Sequence, residues 1–433
     1  MTASLIGFAV VLALSFLGVP LAFASLLVGV AGFAAYRGFD AATAVASNWI
    51  VDAATNYGLS VVPLFILMGV FIHRAKVSDE LYEACHAWMG GFKGGLAGAT
   101  VFACAGFAAV CGSSLATAAT MSRVAMPPMR RYGYNDALSA GTIAAGGTLG
   151  IMIPPSVPMA IYGIVASQDI GKLFIAGIVP GLLLITLFMV AVRIVVLFRP
   201  DWGPAGERMA LKERFARSWK TWPILLLFAI VLGGIYAGIF TPTESAAVGA
   251  FGSYLFAVAR GRLRRLPEIL DAFAETIKTT GMIFAIVFAG LVFSQFINIT
   301  GMPYQLVKLV SGPGHAVGPT GLVLGICAIC LVMGMVFDSL AILLLVVPVF
   351  LPSLAATHVD MIWFGIVIVV LIEMGLITPP IGMNVFTVKA VVPDIPLGRI
   401  FLGVSPFIGA MAAAIVLLFA FPAIATWLPT MMH

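Results

Sequence analysis

The sequence predicts an all-α integral membrane protein whose two halves form an inverted-topology repeat, each half holding one re-entrant hairpin and one broken helix. Three observations lead there: charge is scarce, apolar runs recur in the same order in both halves, and each half carries a proline pair inside a long apolar run. Of 433 residues, 61% are hydrophobic and only 9% charged, with a mean hydropathy of +1.11. Soluble proteins carry about 25% charged residues, so the chain has too little polar surface to cover a soluble globule, and an ordinary cytosolic enzyme is excluded. At roughly 30 to 40 residues per span with its loop, the length accommodates about ten to twelve crossings. A transmembrane β-barrel needs segments of about ten alternating residues, whereas runs such as 173–197 are continuous. The net charge of +5 belongs to loops rather than to a nucleic-acid face: 10 of the 23 Lys and Arg fall within 199–220 and 260–265, and no basic face interleaves with stacking aromatics.

In the first half the apolar runs are 4–17, 20–35, 44–72, 96–126 (interrupted at Gly112 to Ser114), 137–168 (broken at Pro154 and Pro155) and 173–198. A charged stretch, 199–220, follows. The second half repeats the rhythm with 222–240, 241–258, 281–300, 319–351 (interrupted around Asp338), 359–392 (broken at Pro379 and Pro380) and 399–427. A register of 225 residues places Ser113 on Asp338, Ser114 on Ser339, Pro127 on Pro352, Gly150 on Gly375, the two proline pairs on each other and Asp169 on Asp394. Upstream, at an offset of 222, GVPLAFA faces FTPTESA. Several landmarks sharing one register mark an internal duplication.

Cytoplasmic loops collect Lys and Arg, so matching loops give the orientation. Arg130 and Arg131 face Ala355 and Ala356, whereas the lone Arg37 faces Arg260, Arg262, Arg264 and Arg265. The bias reverses between copies, as five crossings plus one hairpin per half would require. Such inverted repeats characterise secondary transporters. With 199–220 on the cytoplasmic side, both termini come out opposite, and the N-terminus, which lacks a basic leader region, is expected to stay as a first span. Residues 78–91 mix acids, aromatics and Leu at helical spacing and read as an interfacial amphipathic helix; 266–279 has similar character and is expected to brace the second half. The five cysteines read as small core residues, including the Cys327 and Cys330 pair, whose neighbours are apolar. His73, His86, His315, His358 and His433 show no metal spacing and sit in or next to loops.

The informative residues are polar ones inside apolar hairpins, where every freed backbone group needs a partner. At the first tip, CGSSLATAAT, Gly112 permits a tight reversal, and Ser113, Ser114 and Thr117 offer hydroxyl oxygens beside unwound carbonyls suited to a hard cation such as Na⁺. Asp338 and Ser339 repeat this tip in register. Two successive prolines remove two amide donors and must break GTLGIMIPPS (147–156) and EMGLITPPIGMN (373–384) near their middles. Gly150 and Gly375 then allow the facing hairpin to approach, while Ser156, Thr378 and Asn384 add side-chain ligands. Ionisable groups in a bilayer are costly and usually functional, which makes Asp338 the foremost charged candidate. For Glu373 both a site role and structural pairing stay open; Glu244 and Asp52 lie near loop ends and read as solvated or scaffold residues.

The motifs GVPLAFA, CGSSLATAA, GTLGIMIPPS, GKLFIAGIVPGLL, GIYAGIFTPTESAAVGA and GLITPPIGMNVF together resemble the large membrane subunit of tripartite ATP-independent periplasmic (TRAP) transporters over nearly the whole chain. The resemblance implies an elevator-type, Na⁺-coupled importer of organic acid anions such as C4-dicarboxylates or sialic acid. It lies in the bacterial inner membrane with both termini periplasmic, and works with a separate four-span small membrane subunit and a periplasmic substrate-binding protein. It divides the chain into a first repeat, 1–198 (scaffold 1–93, transport hairpin and broken helix 94–168, helix 173–198), a cytoplasmic linker, 199–221, and a second repeat, 222–433 (scaffold 222–300, hairpin and broken helix 319–392, helix 399–427). It also places one of two or more Na⁺ ions on Gly334, Gly375, Thr378 and Ile381; the register adds a matching set around Ser113, Gly150, Ile153 and Ser156. Ser113, Ser114, Asp338, Ser339 and Asn384 are the expected substrate residues. An ATP-driven pump and an intramembrane hydrolase are disfavoured, since GxxxxGK[ST], GxSxG and HExxH are absent. A channel, and a stand-alone Na⁺-coupled dicarboxylate carrier of related fold, remain as alternatives.

Overall fold

The computed structural model describes residues 2–311 and 318–432, so His315 and His433 lie outside the described residues. The first half contains α1 (Thr2–Phe16), α2 (Leu21–Arg37), α3 (Phe39–Thr55), α4 (Val61–Arg74), α5 (Val77–Met89), α6 (Gly95–Cys111), α7 (Ser114–Arg131), α8 (Asp136–Met152), α9 (Val157–Val165) and α10 (Ile170–Phe198). A short α11 (Leu211–Trp219) leads into α12 (Trp222–Tyr236), α13 (Pro242–Ala259), α14 (Leu266–Ile299), α15 (Met302–Ser311), α16 (Pro319–Gly334), α17 (Ser339–Ala356), α18 (Met361–Gly375), α19 (Met383–Val391), α20 (Leu397–Ala420) and a last turn, α21 (Ala423–Thr426). No strand occurs among the described residues. The register of 225 maps the first residues of α5, α7 and α8, which are Val77, Ser114 and Asp136, onto those of α15, α17 and α18, which are Met302, Ser339 and Met361. The duplication read from loop residues is thus a duplication of helices.

Five helical segments, Tyr57–Arg74, Ile170–Phe198, Leu266–Ile299, Ser339–Ala356 and Leu397–Ala420, are long and apolar enough to cross a membrane singly, or seven if each bent pair counts as one. That is fewer than the ten to twelve the length suggested. The difference lies in length: α1, α2, α6, α16 and α18 are apolar but only 15 to 17 residues long, α6 and α16 because each ends at a hairpin tip and α18 because it ends at a break. The pair α8 and α9 bends by 43° at its break.

One expectation is reversed. Residues 266–279 do not form a separate helix but the first part of α14, whose 34 residues reach roughly 51 Å, well beyond a hydrocarbon core of about 30 Å. The matching segment of the first half, expected as one run over 44–72, is instead divided into α3 and α4. Asn56 makes the difference: it leaves the helix with ψ 112 and its side chain accepts from Gly58 N at 2.9 Å. Its register mate, Gly281, offers no such cap. A glycine inside a helix costs about 1 kcal/mol, too little to break it.

Nearly every residue of α8 and α18 is buried, as suits helices that are apolar all round, and these two form the centre of the molecule. Small residues let helices meet there. A Cβ on Gly141 of α8 would lie 2.2 Å from the Gly403 carbonyl carbon of α20, so those backbones touch. Around the centre pack α6, α7, α10, α16, α17, α19 and α20, while α2, α3, α4, α13 and α14 form a second set alongside, meeting the first chiefly where α14 lies against α17 and α4 against α6. Of the expected amphipathic stretch 78–91, residues up to Met89 form α5, which buries Leu81, Tyr82, Ala84 and Ala87 against its neighbours.

Candidate functional site

Both hairpin tips are built by the same local device. At the first, Gly112 adopts φ 62, a left-handed conformation that favours glycine, and reverses the chain; Ser113 is extended and its Oγ accepts from Ala116 N at 3.4 Å. At the second, Asp338 is extended and its Oδ1 accepts from Ala341 N at 3.0 Å. The register mates Ser113 and Asp338 are therefore the N-caps of α7 and α17, positions where Ser and Asp satisfy an otherwise orphan amide. The hydroxyl cap is neutral. The carboxylate cap adds a charge.

Each tip rests on the broken helix of its own repeat. A Cβ on Gly150 would lie 2.7 Å from the Ser113 carbonyl oxygen, and one on Gly375 would lie 2.6 Å from Gly334 Cα. Only glycine allows those approaches, so the expectation for Gly150 and Gly375 holds. Gly112 likewise sits where a Cβ would be 3.2 Å from the Pro155 carbonyl oxygen, and Gly382 N donates to the Met335 carbonyl at 3.1 Å. The Pro154–Pro155 and Pro379–Pro380 peptides are both cis. Ile153 and Ser156 belong to the first break, where Ser156 caps α9 by accepting from Met159 N at 3.3 Å. Thr378 and Ile381 belong to the second, and Thr378 Oγ1 donates to the Met374 carbonyl at 2.6 Å. Of the two predicted cation sets, the structure brings Ser113 to Gly150 and Gly334 to Gly375, while Ile153, Ser156, Thr378 and Ile381 lie along the breaks. Among the described residues no three His, Cys, Asp or Glu converge as a metal site; the oxygens gathered here are carbonyls and hydroxyls.

Asn384, the remaining expected substrate residue, is engaged with other parts of the chain. It is fully buried, and its Nδ2 donates to Ser114 Oγ at 2.7 Å and to the Ala144 carbonyl at 3.1 Å. It ties the first tip to α8 and to the second repeat, behind the open space, because an amide in apolar surroundings takes the nearest partners. Glu373 is also fully buried, with neither carboxylate oxygen hydrogen-bonded among the described residues. Among the described residues it joins no ion pair, and its register mate is Thr148. Glu244 completes a capping box with Thr241 at the start of α13. On the surface, Arg130 donates to Asp136 at 2.8 Å and also binds Asp394, holding the Asp394 carboxyl below its usual range.

A cavity of about 400 Å³ opens in front of the tips and is lined by Ser113, Ser114, Asp338 and Ser339 together. Four of the five expected substrate residues therefore share one space. One wall continues from the first tip along α7 through Ala116, Ala119, Thr120 and Arg123; the facing wall comes from α4 (Ile66, Gly69, Val70, His73) and α14 (Glu275, Thr279, Ile283). A second cavity, of about 390 Å³, includes Leu291, Ser294, Gln295 and Asn298 of α14 and Pro348 of α17. Each of these lies 225 residues beyond a wall residue of the first cavity, namely Ile66, Gly69, Val70, His73 and Arg123. The two cavities are pseudo-symmetry mates. Arg123 and His73 were not singled out by sequence; for Arg123 the signal existed, since it is the only charged residue within 94–129.

Comparison with known proteins agrees over nearly the full length. The profile described as "Tripartite ATP-independent periplasmic transporter, DctM component" matches residues 8–424. A C4-dicarboxylate TRAP transporter large permease protein from Pseudomonas aeruginosa is 37% identical over 380 residues, covering 88% of each chain. An ectoine TRAP transporter large permease protein from Halomonas elongata is 35% identical over 371 residues, 86% of each chain. The crystal structure of the YdaH transporter from Alcanivorax borkumensis superposes with a TM-score of 0.68 over 91% of this chain and 90% of its own, at 15% identity, a likeness of fold alone.

Proposed function

Because the chain belongs to the DctM component family of tripartite ATP-independent periplasmic transporters, a family of multi-pass transporter permeases, we propose that it imports an organic acid anion by Na⁺-coupled secondary active transport. The anion is a C4-dicarboxylate, sialic acid or a similar carboxylate. It crosses the bacterial inner membrane after delivery by a periplasmic binding protein, and a separate four-span membrane subunit completes the complex. The observation that carries this reading is the cavity on which both register-matched tips open, each tip pressed against a broken helix.

Two Na⁺ ions fit this arrangement, one among Ser113, Gly150, Ile153 and Ser156 and one among Gly334, Gly375, Thr378 and Ile381. Glycine contacts that would not admit a Cβ bring tip and break together, and carbonyl and hydroxyl oxygens suit a hard monovalent cation better than a softer metal. An anion between the tips meets hydroxyl donors from Ser113, Ser114 and Ser339. Asp338 would repel a carboxylate directly, so its role is to hold a cation or a hydroxyl or amine of the substrate. The hairpins and broken helices, residues 94–168 and 319–392, move as the transport domain against a scaffold of 1–93 and 222–300.

Reconstitution with the small subunit and the binding protein tests the reading. Uptake should be saturable, driven by an inward Na⁺ gradient and dependent on the binding protein. Equal uptake without the binding protein would select the stand-alone carrier, and an ohmic current the channel. Impermeant thiol labelling from the periplasmic side should miss cysteines placed at Arg130, in 199–220 and in 260–265; efficient labelling of two of these would overturn the orientation.

A further inference from the structure

The two cavities share a register but not a charge. Arg123 lies ten positions beyond Ser113, about 15 Å along α7 at 1.5 Å per residue, on the same face as Ala116, Ala119 and Thr120, and lines the first cavity. Among the described residues it takes part in no ion pair and no hydrogen bond, whereas Glu275 across the cavity is already paired with Arg74 at 2.9 Å. Its mate in the second cavity is Pro348, and the charged residue lining that cavity is Asp52. An anion leaving the tips through the first cavity, past Asp338, therefore meets an unengaged guanidinium at the end of the α7 face; the described lining of the second cavity offers a carboxylate and no cation. Guanidinium binds carboxylate in a planar, two-pronged geometry, and an unpaired cation beside an open cavity raises the local concentration of anions there.

We propose that Arg123 is the charge partner of the transported carboxylate while the tips face the first cavity, and that the second cavity is the opposite half of the same path, without this partner. The proposal rests on the carrier reading for the identity of the anion, but the position of the charge can be tested separately. In the reconstituted full complex, with Cys111→Ala removing the native thiol from the cavity wall, Thr120→Cys reports on the first cavity and Asn298→Cys on the second. The probe is the rate of modification by a sulfonate-bearing thiol reagent divided by that of its trimethylammonium counterpart. Arg123→Gln should lower this ratio about fivefold at Thr120→Cys, as loss of one nearby charge implies, Arg123→Lys should restore most of it, and the ratio at Asn298→Cys should not move. Succinate and N-acetylneuraminate supply the second readout, through protection of Thr120→Cys: at least one should protect, and Arg123→Gln should raise the protecting concentration about tenfold. An unchanged ratio at Thr120→Cys, or equal protection with and without Arg123, would overturn the proposal. Loss of Na⁺-driven uptake with an intact ratio and protection pattern would instead count against the transport reading alone.

Discussion

The two tips occupy matched positions and use matched caps, yet they are held in different ways. The first carries a serine cap, a left-handed glycine and a buried amide, Asn384, that reaches over from the other repeat to Ser114. The second carries a carboxylate cap and a backbone-to-backbone contact between Gly334 and Gly375, and the register mate of Asn384 is Met159, which has no side-chain amide to lend. The breaks differ in the same spirit: Thr378 and Ile381 stand where the first repeat has Ile153 and Ser156, so the hydroxyl moves from one end of the break to the other. Duplication fixed the geometry, and divergence placed charge on one side and a polar tie on the other.

Four substitutions would break or sharpen that contrast. The largest effect is expected from Asp338→Asn, which keeps a good N-cap while deleting the charge. Na⁺-driven uptake should fall by more than about tenfold, the scale of a charged hydrogen bond, with no loss of protein from the membrane. Ser113→Ala, its first-repeat counterpart, should cost only a few-fold; equal effects at both positions would mean that Asp338 serves as a cap and nothing more.

Next comes Asn384→Leu, which strands Ser114 Oγ in a buried site and removes the second bond to the Ala144 carbonyl. Leaving such groups unpaired costs about 1–3 kcal/mol, so the thermal midpoint of the purified protein should drop measurably. A midpoint matching the parent protein would show that the tie does not hold the first tip.

A smaller change should follow Thr378→Val, which makes the second break resemble the first. The Na⁺ concentration for half-maximal uptake should rise about threefold, as expected for one neutral oxygen ligand, with the maximal rate largely kept; an unaltered Na⁺ dependence would remove Thr378 from the cation site.

The smallest belongs to the surface bond between Arg130 and Asp394. Because Arg130 holds the Asp394 carboxyl below its usual range, its contribution is complete at neutral pH and is lost only as pH falls below the ordinary carboxylate value of about 3.9. Arg130→Gln should leave the midpoint near that of the parent protein, since exposed pairs contribute little. Any difference should shrink only in that acid range, and a large loss at neutral pH would show that this bond clamps the two repeats together.

Much of this was legible in the sequence because membranes constrain backbones so tightly. A bilayer admits only satisfied backbone, so the apolar runs, the proline pairs and the Gly112 and Asp338 interruptions, repeating at 225 residues, already dictated helices, breaks, tips and duplication. Gly150 and Gly375 could be read as points of close approach because little else explains an invariant spacing from tip to break within the chain. What the tertiary structure alone decided depends on which side chains meet across hundreds of residues. The bonds of Asn384 to Ser114 and to the Ala144 carbonyl, made across the two repeats, are of this kind. Whether 44–72 or 266–299 would break rested on the small balance between the Asn56 cap and the glycine at 281. Arg123 and His73 gained a common cavity, and Arg123 its contrast with Pro348, only when α4, α7 and α14 were packed together, because enclosure is a property of the assembled helices rather than of any one of them.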